Sequence, residues 1–419
     1  MASLLPHLQS AFGICVIIGL AWLFSENRRE VVWRPVIGGL LLQAALALLL
    51  LKVPLARNVL FGLNGVVTVL TAATKTGTGF VFGYIGGGKT PFIVRDPSSL
   101  TSFAFTVLPL VMVISALSAV LWYWRILSAV VRGVAFVLKK TMGLGGAVGL
   151  GAASTVFLGN VEGSLVVRPY LARFTRTELF IIMTTGLAVT AGTVFVLYAT
   201  ILANVLPGAL GHILVASIMS LPAAIVIARI MVPGDAEADL TEGVGQDYRS
   251  SMDAVARGTE DGLKIYLQIM AMLIVTVALV AIANSILGQF PSFQGAPLTL
   301  QRVLGWIFAP VVWLYGVPWH EAVAAGGLLG TKTILNELIA YIDLANLPPG
   351  TLDPRATQIM VYAMCGFANF ASVGILIAGY STLVPERRDE IVPLAMRAIV
   401  SGTMASGLTG AMIGLLPVS

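Results

Sequence analysis

The stretch FLGNVEGSLVVRPYL, Phe157–Leu171, decides how the rest of the chain is read. Asn160 and Glu162 stand in it among apolar and small residues, and Arg168 and Pro169 close it. The run before it, MGLGGAVGLGAAS from Met142 to Ser154, is too small and Gly-rich for an ordinary lipid-facing helix. Both flanks are basic, with Lys139 and Lys140 before and Arg168 and Arg173 after. A segment whose two ends lie on one side must enter and return, so 141–170 is expected to be a re-entrant hairpin. Irregular backbone at membrane depth is tolerated only where protein or a cavity surrounds it.

Composition supports a membrane setting. The chain has 419 residues, 57% of them hydrophobic and 11% charged, and its mean hydropathy is +0.92. A soluble domain carries about 25% charged residues, so this is read as a polytopic membrane protein. The net charge of +5 then calls for no nucleic-acid partner, because the basic residues cluster in short loops that orient the chain. Cys15 and Cys365 both lie in apolar runs, which argues against a disulfide framework. The first 25 residues lack a basic leader and a small-residue cleavage site, and read as a first membrane helix.

Apolar runs long enough to cross a bilayer fall near 8–25, 35–52, 101–123, 178–204, 211–232, 264–288, 357–380 and 391–417. Basic clusters at Arg28, Arg29 and Arg34, at Arg125, Arg132, Lys139 and Lys140, and at Arg387 and Arg388 then share one side. That side is cytoplasmic, which puts both termini on the periplasmic side of a bacterial inner membrane. The acidic, Gly-rich stretch 234–262 reads as a solvated cytoplasmic connector. Residues 54–74, interrupted by Arg57 and Asn64, suit a helix along the outer interface, and 124–140 one along the inner interface.

Residues 301–345 pose the hairpin problem again, now between two outward-facing ends. TILNELIAY there corresponds loosely to FLGNVEGSL, an asparagine followed by a glutamate and an apolar exit. Each hairpin precedes a span interrupted by small residues, TTGLAVTAGTVF from Thr184 and MCGFANFASVGI from Met364. One hairpin enters from each side, so the repeat is inverted. Inverted repeats with broken helices near the midplane characterise secondary transporters, with the substrate at the repeat interface. The expected fold is therefore all-α, with eight transmembrane helices, two opposed re-entrant hairpins and interfacial helices.

Carboxylates inside a membrane are costly and face a cavity or a partner. Glu162 and Glu337 are accordingly read as projecting from the two hairpin tips into one polar pocket; the bland alternative is a structural hydrogen bond or a hairpin end in water. Asn369 and Ser372, with Phe367 and Phe370 alternating around them, offer an amide and a hydroxyl to a polar ligand, with an aromatic ring over its apolar face. Their alternative role is bonding between helices. GYIGGGKT, Gly83–Thr90, matches the phosphate-loop pattern in letters, but that motif needs a strand before it and a helix at the lysine, and Pro91 follows here. HEAVA at His320 has Ala324 where a zinc motif needs histidine, and the chain holds only 3 histidines, so no metal site is expected beyond one for sodium.

VRPYL with its upstream glutamate, NELIAY and CGFANFAS together resemble the concentrative nucleoside transporters, and the likeness runs from SENRR after the first span to the last span. The resemblance implies a homotrimer whose static scaffold holds mobile transport domains that move as elevators. It implies a scaffold in 1–123 and 264–288, transport halves in 124–232 and 301–419, and a cytoplasmic loop in 233–263. It places Asn336, Glu337, Asn369 and Ser372 on a ribose, Phe367 over the base and Val194 beside it. The family's first hairpin reads Gly-Gln-Thr-Glu-Ala-Pro, where this chain has Gly159-Asn160-Val161-Glu162-Gly163-Ser164. The ribose end is thus kept and the base end rewritten around Asn160 and Val161.

The family's sodium site maps onto the side chains of Thr155 and Val189 and the carbonyls of Leu158 and Thr190. Val189 supplies no side-chain oxygen, so a proton carried by Glu162 is expected as the coupling ion, with sodium as the alternative. The functional expectation is an ion-coupled importer of nucleosides, using no cofactor and surrounded by lipid. Two rivals are kept: the same fold carrying a modified nucleoside, a nucleobase or another small polar solute, and an intramembrane enzyme using Glu162 and Glu337 as acid and base.

Overall fold

The computed structural model describes residues 5–62, 64–94, 102–235, 248–292, 295 and 297–416. Among them every regular element is helical. Helices α1 (Leu5–Leu23) and α2 (Trp33–Lys52) match the first two expected spans. The expected outer interfacial helix is two helices, α3 (Pro54–Gly62) and α4 (Asn64–Phe82), the second running past residue 74. After α4 comes a 3-10 turn, Gly83–Gly86, with no strand before it, so the phosphate-loop letters lack their structural context. A π-helical turn at Phe103–Val107 leads into α5 (Leu110–Tyr123), and Arg125, at φ +61°, turns the chain into α6 (Ile126–Met142).

The first hairpin is α7 (Gly146–Leu158) with two short return helices, α8 (Glu162–Leu165) and α9 (Arg168–Leu171). The broken span follows as α10 (Arg176–Ala188) and α11 (Gly192–Ile201), and α12 (Ala209–Met231) closes the half. The α10–α11 break would strand backbone groups in a dry interior, which is costly. The Ser217 hydroxyl of α12 satisfies them, accepting from the Thr190 N–H at 3.2 Å and donating to the Thr190 carbonyl at 3.3 Å.

Two expectations need correction in the second half. Helix α13 (Ser251–Leu287) begins at Ser251 rather than 264, taking in the end of the expected connector. Ser250 caps it, and the pairs Asp253–Arg257 at 3.1 Å and Glu260–Lys264 at 2.8 Å stand at helical i,i+4 spacing. The connector's residues 236–247 lie outside the described residues, as do residues 101 and 417 of the expected spans. The second correction concerns 301–345, which is more than a hairpin. Helix α14 (Leu300–Tyr315) stands alone, and the hairpin proper is α15 (Ala322–Ile334) and α16 (Glu337–Ala345). Gly326, Gly327 and Gly330 bring the α15 backbone against α14, where any Cβ would meet α14 atoms at 2.4–3.0 Å.

Helices α17 (Pro354–Met364) and α18 (Phe370–Leu383) form the second broken span, and α19 (Arg388–Gly414) ends the described chain. The repeat unit is therefore longer than a hairpin and a broken span. It runs α6 to α12 and again α14 to α19, with α6 and α14 in corresponding places. At the centre the two breaks meet: Cys365 Sγ lies 3.3 Å from Thr190 Oγ1, and a Cβ on Gly366 would sit 2.5 Å from the Ala188 carbonyl. Seven helical stretches among the described residues are long and apolar enough to cross a membrane. The eighth expected span is α17 with α18, each too short alone at 11 and 14 residues. The α10–α11 span is almost wholly buried in protein, whereas α13 is almost wholly exposed along its apolar length.

Candidate functional site

The hairpin tips are built by local backbone chemistry. Gly159 ends α7 at φ +107° and ψ −173°, a conformation essentially reserved for glycine, and this turns the chain so that Asn160, Val161 and Glu162 form the tip. In the second hairpin Asn336 caps α16, its Oδ1 accepting the Ile339 N–H at 2.9 Å. The second break is ended the same way: Asn369 caps α18 and its Oδ1 accepts the Ser372 N–H at 2.8 Å. Capping fixes the orientation of both amides and leaves each side-chain NH2 group facing away from its own helix.

The two tips and the two breaks enclose a cavity of about 200 Å³. Asn160, Val161, Glu162, Val194, Asn336, Glu337, Phe367, Asn369 and Ser372 all line it. Ligand clefts usually measure about 300–1,000 Å³, so this one suits a single small polar molecule. A larger cleft of about 710 Å³ opens between the α11–α12 and α16–α17 loops, and none of these nine residues lines it. The convergent polar groups, rather than size, mark the smaller cavity as the site.

Glu337 is buried, at 4% exposure, and is the most constrained group in the wall. The Tyr198 hydroxyl donates to its Oε1 at 2.6 Å and the Asn369 side-chain N–H to its Oε2 at 3.2 Å. Tyr198 is itself held by Tyr341, whose ring centroid lies 5.1 Å away and whose hydroxyl donates to the Val361 carbonyl at 2.9 Å. Glu162, by contrast, is exposed to the cavity. Val161 packs against the bare backbone of Gly379 on α18, and the Asn160 side-chain oxygen lies against Gly186 on α10 with no hydrogen-bond partner. Ser164 is hydrogen-bonded to Tyr380, which ties the first hairpin to α18.

The residues expected to handle the ion lie beside this cavity. Val189 and Thr190 form the α10–α11 break, and a Cβ on Gly192 would sit 3.0 Å from the Phe157 carbonyl, so the break abuts the end of α7 that carries Thr155 and Leu158. The Thr155 hydroxyl donates to the Ala152 carbonyl at 2.7 Å, which leaves its lone pairs free to accept a cation. Sequence reasoning missed Tyr198 and the α13 wall of the cavity, including Gln268, Ile269 and Met272. Tyr198 stands four residues after Val194 on one helix face, and Gln268 is an amide in an apolar run; both are signals of the kind that marked Asn369. Phe370 turns outward, at 53% exposure, and does not line the cavity.

Residues 12–85 match the family model described as the Na+ dependent nucleoside transporter N-terminus, and residues 212–414 match its C-terminus. The chain is 36% identical to the uncharacterized transporter YutK of Bacillus subtilis, over 97% of this chain and 99% of that one. It is 32% identical to the nucleoside permease NupC of Helicobacter pylori, over 97% of each. A solved structure of CNTnw in an inward-facing, substrate-bound state superposes with a TM-score of 0.88 at 33% identity, covering 97% of both chains. A variant of CNTnw in an outward-facing state superposes almost equally, at 0.87 and 34% identity, over 98% of this chain and 97% of that one.

Proposed function

Because this chain belongs to the concentrative nucleoside transporter family, we propose that it imports nucleosides by coupling them to a cation gradient, with the cavity between the hairpins as the binding site. It is a multi-pass membrane carrier of the elevator type, and the rival reading as an intramembrane enzyme falls with the family. The observation that carries the site is Glu337, a buried carboxylate held by Tyr198 and Asn369 in the wall of a cavity shared by both hairpins. A ribose presents adjacent hydroxyls, and a carboxylate with spare lone pairs accepts from them through charge-assisted bonds. Phe367 and Val194 supply apolar surface for a base, and Asn160 lines the cavity beside them.

Sodium replaces the proton as the coupling ion in this reading. The family model carries sodium in its description, and the unwound α10–α11 backbone beside Thr155 offers oxygens that Val189 does not. Half-helix ends and unwound carbonyls are the usual ligands of coupling sodium. Import into the cytoplasm across a bacterial inner membrane, periplasmic termini and a trimeric assembly complete the proposal, on the charge pattern of the loops and the family resemblance. The altered tip, Asn160-Val161, also supports a second reading in which the preferred cargo is a ribosyl compound with an unusual base.

Uptake of radiolabelled uridine and adenosine into proteoliposomes tests the proposal. An inward sodium gradient should drive accumulation of the unchanged nucleoside, and an inward proton gradient without sodium should not. Accumulation that follows the proton gradient and ignores sodium would return Glu162 to the coupling role. Absence of uptake for both nucleosides, with uptake of a base-modified analogue, would favour the second reading.

A further inference from the structure

One charged group near the cavity has no part in the binding scheme. Lys332, on α15, is 0% exposed, and no protein group among the described residues hydrogen-bonds its ammonium. A lone buried charge is costly, and replacing it by an apolar side chain of similar volume is often harmless or stabilising. Its placement is specific. The Gly326–Gly330 face of α15 is pressed against α14, and Lys332 stands two residues on, about 200° around the helix, on the side away from α14. Helix α15 packs on α16, which Glu337 heads five residues later in the chain, and on α17, which ends at the break that holds Cys365.

Glu337 needs such a neighbour. Its hydrogen-bond donors, the Tyr198 hydroxyl and the Asn369 amide, are both neutral. A buried carboxylate with only neutral donors is driven to take up a proton, and a protonated carboxyl loses half its acceptor capacity. The first hairpin provides an internal comparison. Glu162 heads α8 as Glu337 heads α16, and the position five residues before Glu162 is Phe157, with no charge. Glu162 is open to the cavity, whereas Glu337 is buried and has a cation where the other hairpin has a ring.

We infer that Lys332 is a positioning residue for substrate: a buried counter-cation that keeps Glu337 ionised without bonding to it, so that the carboxylate oxygens stay free to accept ribose hydroxyls. A direct salt bridge would fill those acceptor sites; a cation held off the carboxylate balances its charge and leaves them open. The inference rests on Glu337 being the ribose-binding group. The titratable groups acting on Glu337 are Tyr198 on α11, Lys332 on α15, Tyr341 on α16 and Cys365 in the break, with Glu162 on the opposite wall of the cavity. Lys332 is the cation in that set.

Equilibrium binding of radiolabelled uridine to purified full-length protein across a pH series is the test, using Lys332→Met, Lys332→Arg, Glu337→Gln and the Lys332→Met/Glu337→Gln double variant. Glu337→Gln should weaken binding at least about tenfold. Lys332→Met should weaken it similarly at about pH 7 and recover towards the parent by about pH 9, as the uncompensated carboxylate ionises. Lys332→Arg should bind like the parent, and Lys332→Met should add less than about a twofold loss in the Glu337→Gln background, since the two residues act through one group. If Glu337→Gln binds normally, the ribose reading of the site is wrong. If Glu337→Gln is impaired while Lys332→Met binds like the parent at every pH, or loses binding with no recovery at high pH, the counter-cation role is wrong.

Discussion

Gly159 is where a single residue determines the site. Its φ of +107° and ψ of −173° exclude side chains, and a Cβ there would also come within 3.0 Å of Glu162 Oε2. Gly159→Ala therefore strains the backbone and displaces a cavity carboxylate at once. The expected loss is about 1–3 kcal/mol of stability, read as a lowered thermal midpoint, together with weaker nucleoside binding. Gly374→Ala on the exposed face of α18 is the control: nothing lies within 4 Å of its Cβ, and a mid-helix Gly→Ala change should be neutral or stabilising. Equal stability of the two variants would mean that the tip relaxes around the new methyl. At this scale much was legible beforehand, because a carboxylate or amide in an apolar run declares itself. Lys332 was not, since a lysine in a hairpin looks the same whether it faces the cavity, the interface or lipid, and Tyr198 showed only through its spacing from Val194.

Helix ends carry the site at the scale of elements. Asn336 and Asn369 occupy equivalent posts, one capping the helix that leaves a hairpin tip and the other the helix that leaves a break, and the Asn369 NH2 group is turned to Glu337. The two duties of Asn336 can be separated. Asn336→Ala removes the cap on α16 and should cost about 0.5–2 kcal/mol, whereas Asn336→Ser keeps a capping oxygen and should retain most of the thermal stability. Both variants lack the amide NH2, so both should bind nucleoside less tightly if that group reaches the substrate. Stability falling equally in both would show that the cap contributes nothing; normal binding in both would remove Asn336 from the site. Breaks and hairpins were foreseeable from clustered small residues, because such runs cannot cover a lipid-facing helix. The length of α13 was not, since charged residues at i,i+4 spacing look like a solvated loop until the helix they stabilise is seen. The independence of α14 was hidden for a related reason: it is as apolar as the hairpin it leads into.

For the molecule as a whole, the question is which helices travel together. Family resemblance alone assigns α1 and α2 to the static scaffold with α5 and α13, but the polar contacts point elsewhere. The Arg355 guanidinium of α17 donates to the carbonyls of Pro6 at 2.9 Å, Gly316 at 2.6 Å and Gly414 at 2.6 Å, joining α1, α14 and α19 at one end. At the other end Glu26, just after α1, accepts from Arg176 of α10 at 2.8 Å and from Arg397 of α19 at 2.9 Å. The Arg176 hydrogen bond holds the Glu26 carboxyl below the usual carboxylate range. Between these ends, Gly13 lies on the Leu314 backbone so closely that a Cβ would fall 1.7 Å from its carbonyl oxygen. On α2, Gln43 donates to Thr409 of α19 at 3.1 Å. Helices α5 and α13 instead pack mainly on each other, with Gly258 and Gly262 against the α5 backbone. An elevator slides along the surface with the fewest fixed bonds, so α1 and α2 should move with the substrate-binding body past a frame built on α5 and α13. A cross-link decides it. A Cβ on Gly414 lies 3.1 Å from Ser10 Cβ, just under the roughly 3.5–4.5 Å that a disulfide prefers. In a Cys15→Ser background, the Ser10→Cys/Gly414→Cys pair should oxidise readily, and nucleoside uptake into proteoliposomes should match that of the reduced protein. Uptake that stops on oxidation and returns on reduction would place α1 in the static frame, with the Arg355 and Glu26 clusters as bonds that break in every transport cycle.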